Sequence, residues 1–307
     1  FRGGRSVSSV GVVNDPLTYY MGTAGGGLWK TTNAGSEWFN ISDDYFKTSS
    51  VGAIAVSESD SRIIYVGMGE HSPRGVTTSY GDGVYKSTDA GETWEHLGLD
   101  NTQQVSRIII HPDDNNIVYV AAQGAINGPT KERGVYKSID GGKTWKNVLF
   151  VNELSGASEL SIDINNPKVL YATMWEHQRL PWKVISGGEG SGVYKSTDGG
   201  ENWFKIENGL PDELGKLAIS VSRANSNKVY LLAESDTNKR LGGLFVSNNA
   251  GESWSRVSKF AELTSRAWYY IEVFADPNDE NTVYVLSARA FRSVSYTHLT
   301  LPTTSPV

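Results

Sequence analysis

Short apolar runs alternate along the chain with clusters of Asp, Asn, Gly and Pro. The runs are rich in Val, Ile, Thr and Tyr, residues that suit a pleated, half-buried surface. Six of them open units with one internal order: 6–13, 51–56, 105–111, 159–164, 216–222 and 269–275. Each leads into a polar turn such as Asn14-Asp15-Pro16 or Asn165-Asn166-Pro167, where a strand must stop. A second strand follows, centred in turn on Tyr20, Tyr65, Tyr119, Tyr171, Tyr230 and Tyr284. After a loop of variable length comes a third strand, at 28–30, 84–86, 135–137, 193–195 and 244–246, and a fourth opens on a tryptophan. The pattern predicts four short antiparallel strands per unit, five times over. A sixth unit reaches Leu286 and stops near Ser293, where its third strand is due to begin.

One phrase joins the third strand to the fourth in every complete unit. It reads TTNAGSEW at 31–38, STDAGETW at 87–94, SIDGGKTW at 138–145, STDGGENW at 196–203 and SNNAGESW at 247–254. Its Asx residues are Asn33, Asp89, Asp140, Asp198 and Asn249, at intervals of 56, 51, 58 and 51 residues. A side-chain oxygen there closes a turn by accepting from the backbone N–H groups just ahead. Gly91 and its equivalents supply a conformation that a side chain resists, and the tryptophan ring covers the corner. A period just above fifty residues is that of a repeat architecture.

These turns resemble the Asp-box, or BNR repeat, S-x-D-x-G-x-T-W, and the resemblance covers nearly the whole chain. It implies an all-β fold, a β-propeller of four-stranded antiparallel blades. Five complete blades are expected at about 5–40, 41–98, 99–150, 151–208 and 209–258, with a truncated sixth at 259–293. The rhythm and the core phrase GVYKSTDGG are most similar to the sortilin N-terminal-like branch found in large secreted bacterial proteins. The resemblance implies a secreted, periplasmic or cell-surface propeller whose loop face binds an extracellular peptide or glycan. Its alternative is a glycoside hydrolase of the exo-alpha-sialidase or xyloglucanase kind, and a further one is an assembly scaffold.

Composition narrows the partners. The 307 residues carry a net charge of −6 with 33 Gly, 15 Tyr and 9 Trp, and the pI is near 5.5. That balance argues against nucleic acid or an anionic membrane as the main partner. No apolar run approaches the roughly 18 residues of a membrane span. There is no cysteine, hence no disulfide and no thiolate chemistry. No metal-ligand, EF-hand or phosphate-loop spacing occurs, so no metal and no cofactor is expected. Oligomeric state is not readable. Residue 1 is Phe, and 294–307 has no repeat logic and reads as a translated sequencing adapter. The expected domain is therefore a propeller fragment, 1–293.

Candidate chemistry lies in the loops. The Asp-box acids read as turn staples, because Asn at 33 and 249 keeps the hydrogen bond but gives no general base. The 68–75 loop offers Glu70, His71 and Arg74 as a polar or anion site, against the bland reading of a loop tied by its own ion pairs. In the 174–182 loop, Trp175 and Trp182 are expected to stack on a ligand ring while Glu176, His177 and Arg179 direct hydrogen bonds. The competing reading has those tryptophans plugging the channel or packing on the next blade. Arg133 and Arg266 complete the set. A glycosidase needs two carboxylates about 5 Å or about 6.5–9.5 Å apart, and Glu70, Glu132, Glu176 and Glu189 are the available glutamates. The family patterns themselves are not met: no sialidase arginine triad can be assigned, and Gly25-Gly26-Gly27 runs into Leu28 with no xyloglucanase-type Asp following.

Overall fold

The computed structural model describes residues 5–73, 78–235 and 238–294. Arg74 and the tail from 295 onward lie outside the described residues. The fold is an all-β, six-bladed propeller of antiparallel sheets, each built from strands consecutive in sequence. Among the described residues the helical elements are two 3-10 turns, Asp100–Thr102 and Ala261–Thr264. The chain divides into two compact units, Phe1–Ala157 and Ser158–Val307.

The first unit holds three complete blades. Their strands are Ser6–Val12, Asp15–Thr23, Leu28–Thr31 and Phe39–Asn40; then Val51–Val56, Ile64–Met68, Val84–Ser87 and Glu95–His96; then Val105–Ile110, Val118–Ala122, Gly134–Ser138 and Lys146–Leu149. The fourth blade starts on Ser155–Ile162, which runs across the division between the units, and continues with Leu170–Arg179, Gly192–Ser196 and Phe204–Ile206. Leu217–Val221, Val229–Ala233, Gly243–Ser247 and Ser255–Ser258 make the fifth blade. The sixth consists of Glu272–Ala275, Val283–Leu286 and Ala290–Ser293.

Three local expectations are corrected. The sixth blade has a third strand, Ala290–Ser293, paired along Val283–Leu286 with Phe291 opposite Val285. Its first strand begins at Glu272 and not at 269, because Tyr269 and Tyr270 both donate their N–H to the Arg266 carbonyl at 2.9 Å and close a turn. In the fourth blade the long loop is itself a hairpin: the second strand runs on to Arg179 and pairs with an added strand, Val184–Ser186. Pro181 and Trp182 form its two-residue tip, bracketed by the Leu180 N–H to Lys183 carbonyl bond of 2.8 Å.

The core lies between facing sheets. Tyr20 and Leu28 of blade one pack on Val51, Ile64, Val66 and Tyr85 of blade two, whose opposite face meets Val105, Ile108, Val118 and Val120 of blade three. In the second unit Tyr171 and Val193 pack on Leu217, Leu231 and Phe245, and blade five on Val273, Val285 and Phe291 of blade six. Because both faces of an inner strand are covered, its residues are buried almost without alternation, as in Ile64–Met68.

The Asp-box does two jobs in this packing. Within a blade, the Asp89 carboxylate accepts the Thr93 N–H at 2.9 Å and the Thr93 hydroxyl at 2.6 Å, while Ser87 Oγ accepts the Gly91 N–H at 2.8 Å. Asn33 and Asn249 keep the turn through Oδ1, accepting the Glu37 and Ser253 N–H groups at 2.9 and 3.0 Å. The residue after the Asx is forced to positive φ: Ala34 at 56°, Ala90 at 59°, Gly141 at 75°, Gly199 at 74° and Ala250 at 54°. Between blades, the carbonyl at that twisted position becomes an acceptor for the preceding blade. Ala90 O receives the Tyr20 hydroxyl at 3.1 Å and the Lys30 ammonium at 2.8 Å. Gly141 O receives Tyr65 at 3.0 Å and Lys86 at 3.2 Å, and Ala250 O receives Tyr171 at 2.9 Å and Lys195 at 2.7 Å. Each lysine also lies over its tyrosine ring, at 5.8, 5.1 and 5.8 Å from the centroid. Trp94 and Trp145 add indole bonds to the Ile41 and Leu97 carbonyls of the blade before.

Three outcomes are expected. The Thr93 and Thr144 hydroxyls and amides hold the Asp89 and Asp140 carboxyls down at about 2, and the Asn202 amide holds Asp198 well below the usual carboxylate range. Folded values lie below unfolded ones, so this stabilisation is complete above about pH 4 and is lost as pH falls toward 2. Replacing all three by Asn preserves the turns and flattens the acid limb of stability, read as urea midpoints between pH 7 and pH 2. Separately, Ala90→Gly removes left-handed strain from an alanine and raises stability by up to about 1 kcal/mol in thermal unfolding. Gly91→Ala lowers it, since a Cβ there sits 2.8 Å from Ile41 Cδ1 of the neighbouring blade at a φ of +91°.

Candidate functional site

The Asp-box turns occupy one end of each of the first five blades, between third and fourth strands; the second-to-third loops lie at the other end and carry the candidate chemistry. In the first unit these loops border an open cleft of about 960 Å³. Its walls carry three aromatic rings, Trp29, Phe46 and Tyr80, among neutral polar groups such as Asn40 and Ser50. Local bonding explains how Trp29 is aimed. The Gly25-Gly26-Gly27 turn is pinned by Thr23, whose hydroxyl donates to Gly27 O at 3.0 Å and accepts from Gly26 N at 2.9 Å. The Gly26 carbonyl then takes both the Trp29 indole N–H at 2.8 Å and the Asn40 amide at 3.1 Å. Gly27 has no room for a side chain, because a Cβ would fall 2.1 Å from Ser42 Oγ. Tyr80 stands on the opposite loop with 67% of its surface exposed. The Ser50 hydroxyl lines the cleft, is 1% exposed as a residue, and has no hydrogen-bond partner among the described residues.

The residues singled out from sequence are dispersed. Glu70 is fully buried and ion-paired with Arg5, and the Ser79 N–H reaches its other oxygen at 3.4 Å. His71 is buried beside it. Arg133 is buried as well, spread over the carbonyls of its own loop, Gln123 at 2.9 Å, Gly128 at 3.0 Å and Ala125. Desolvation pushes its guanidinium down to about 10. Glu132 accepts from the Thr130 hydroxyl.

In the second unit Trp175 is wholly buried, stacked on His177 at 4.2 Å with an interplanar angle of 12°. Its other neighbour is the Lys216 ammonium, 5.0 Å from the ring centroid, so the indole has become an interior strut. Glu176 is held by its own loop through the Gly190 N–H at 2.9 Å. Glu189 is exposed at the base of the hairpin, Arg179 is half-buried on it, and Trp182 stands at its tip, 81% exposed. Arg266 borders a second cavity with Glu234 and Trp268.

With the geometry in hand, the relatives can be placed. The family model for Sortilin-Vps10 (sortilin, neurotensin receptor 3) matches residues 82–240, just over half of the chain. The chain belongs to the Sortilin-Vps10 family. Curated proteins similar to it include a xyloglucanase of Paenibacillus sp., 21% identical over 89% of this chain and 28% of its own length. The xyloglucanase Xgh74A of Acetivibrio thermocellus is 24% identical over 78% of this chain and 29% of itself. A xyloglucanase of Hypocrea jecorina is 23% identical over 81% and 32%. The chain therefore spans less than a third of the length of these relatives. Among solved structures, an ancestral GH74 enzyme superposes with a TM-score of 0.70 at 18% identity, covering 94% of this chain and 39% of that one. The GH74 xyloglucanase from Xanthomonas campestris gives 0.60 at 16% identity, over 96% and 52%. The propeller of this Sortilin-Vps10 member is thus of the glycoside hydrolase-like kind in fold.

The sequence reading passed over Trp29 and Tyr80. The signal available was a Gly-Gly-Gly-Leu-Trp run at the second-to-third loop of blade one, and a tyrosine isolated in a Ser, Thr and Gly loop. For Glu70 the burial makes a prediction. Glu70→Ala leaves Arg5 without its partner and costs about 2–3 kcal/mol, tempered by the partial exposure of the Arg5 side chain. Chemical denaturation of the variant measures it.

Proposed function

We propose that this propeller segment belongs to a secreted, glycan-acting protein and that the cleft of blades one and two grips a neutral polysaccharide of the plant-glucan class. The observation that carries the reading is the cleft's chemistry: an indole fixed in orientation, an exposed phenol, and amide and hydroxyl groups, all lining one opening. Sugar rings offer apolar C–H faces to aromatics and hydroxyl rims to neutral hydrogen-bonding groups. The similarity to proteins named xyloglucanases over 78–89% of the chain supports the same ligand class. In this reading Trp182, solvent-exposed on its hairpin tip, is an additional platform in the second unit.

Gripping is favoured over cutting within this segment because Glu70, Glu132 and Glu176 are each engaged by a neighbour. Hydrolysis is the second reading, favoured by the names of the relatives.

The test is affinity electrophoresis and calorimetry with xyloglucan oligosaccharides. Binding is expected, weakened about tenfold by Trp29→Ala and by Tyr80→Ala, equivalent to about 1.4 kcal/mol each. Binding indifferent to both substitutions, or tighter binding of unstructured peptides than of glycan, removes the proposal. Release of reducing ends that Glu70→Gln, Glu132→Gln, Glu176→Gln or Glu189→Gln abolishes moves the assignment to the hydrolase.

A further inference from the structure

We propose that the cavity bordered by blade five and the entry to blade six binds an acidic sugar, a pyranose carrying a carboxylate, at a site separate from the glucan cleft. The cavity lies wholly in the second unit and measures about 440 Å³, within the range of about 300–1,000 Å³ typical of small-ligand sites. Its edge includes Glu234, Ser235, Lys239, Arg266, Trp268 and Tyr269.

The floor is built and rigid. Glu234, 8% exposed, accepts the Ser186 hydroxyl at 2.7 Å and the Lys216 N–H at 3.1 Å. Ser186 in turn accepts the Trp175 indole N–H at 3.1 Å, and the Lys216 ammonium, buried over that indole, reaches the Trp268 carbonyl at 3.4 Å. Gly215 lets the backbone pass close beneath, since a Cβ there would lie 2.7 Å from Glu234 Oε2. Beside this floor Ser235 is 1% exposed, and its hydroxyl has no partner among the described residues. A buried hydroxyl left without a bond among the described residues points to one made to a guest.

Charge selects the guest. Lys239 and Arg266 are exposed on the rim, and neither side chain has an ion-pair partner among the described residues. They share the cavity's lining with the Glu234 carboxylate, and the Lys216 ammonium is buried nearby over the Trp175 indole, in a chain whose net charge is −6. An anion is drawn there, and a guanidinium holds a carboxylate by paired hydrogen bonds. Trp268 and Tyr269 are aromatic lining residues suited to the apolar side of a pyranose, and the Ser235 hydroxyl would meet one of its hydroxyls. A neutral sugar would leave the rim cations idle, and a bare carboxylate would leave the Ser235 hydroxyl and the ring faces idle.

The experiment compares methyl glucuronoside, its methyl ester and methyl glucoside on the whole chain by calorimetry and saturation-transfer NMR. Saturable binding of the glucuronoside alone is expected, falling at least tenfold in Arg266→Ala, severalfold in Lys239→Ala and Ser235→Ala, and steeply with added salt. Xyloglucan binding at the other cleft is expected to be unchanged in these variants, so failure of one site is read independently of the other. Three results would overturn the proposal: equal binding of glucoside and glucuronoside, Arg266-dependent binding of a C-terminal peptide carboxylate as tight as that of the sugar, or no saturable glucuronoside binding by protein whose circular dichroism is native.

Discussion

The carbonyl that follows the Asx residue, at Ala90, Gly141 and Ala250, is the constraint on which the propeller rests. An Asx-type turn forces that residue to positive φ, and the twist turns its C=O out of the hairpin and toward the blade before it. There it accepts two donors at once, a phenol from the second strand and an ammonium from the third, as at Ala90, Gly141 and Ala250. A buried tyrosine hydroxyl without such an acceptor is costly, as is a lysine drawn in over its ring. The repeated Tyr and Lys of the second and third strands and the Asx-Gly of the turn are therefore one device read in two places. The end of the repeat series confirms the logic: blade six has no Asp-box among its described residues, and Tyr230 of blade five donates instead to the Glu280 carbonyl at 2.6 Å, in the first turn of blade six.

Fixing one end of a blade in this way leaves the other end available for variation. The loop in blade one is a four-residue glycine turn, whereas blade four grows a full hairpin there, with no disturbance of register in the strands beneath. This is why function has to be argued from the loop end and why membership of a family does not supply it. A Sortilin-Vps10 match and a likeness to xyloglucanases are compatible, because one propeller scaffold can carry different loops and different ligands.

Most of the scaffold was legible from the chain because its signals are local. Alternation, β-branched content and turn chemistry placed the strands of five blades, and the Asx-Gly-Trp phrase placed their corners. The errors fall where local signals conflict with packing. Tyr269 and Tyr270 read as the start of a strand by composition, yet they turn, because the Arg266 carbonyl captures their two successive N–H groups. Trp175 and Trp182 lie seven residues apart in one loop and are alike in composition. One is clamped between His177 and Lys216, and the other is lifted away on a Pro-Trp tip; that difference comes from strand pairing across the hairpin. Arg133 looked like a ligand group and is consumed by three carbonyls of its own loop. The Trp29 platform went unread because its orientation depends on a glycine carbonyl, which carries no side-chain signature.

The same physics separates the two candidate sites. In the first-unit cleft, hydroxyls, amides and ring faces predominate, and its charged residues lie on its exposed edge. Such a surface discriminates by shape and hydrogen-bond geometry and is little affected by salt. In the second unit a buried carboxylate and a buried ammonium are held in place by serine, indole and backbone groups, and rim cations stand above them. Burying those charges is tolerable only because each is bonded by its neighbours. A surface of hydroxyls, amides and rings and a surface of rim charges thus answer to different physical variables, the first to shape and the second to ionic strength.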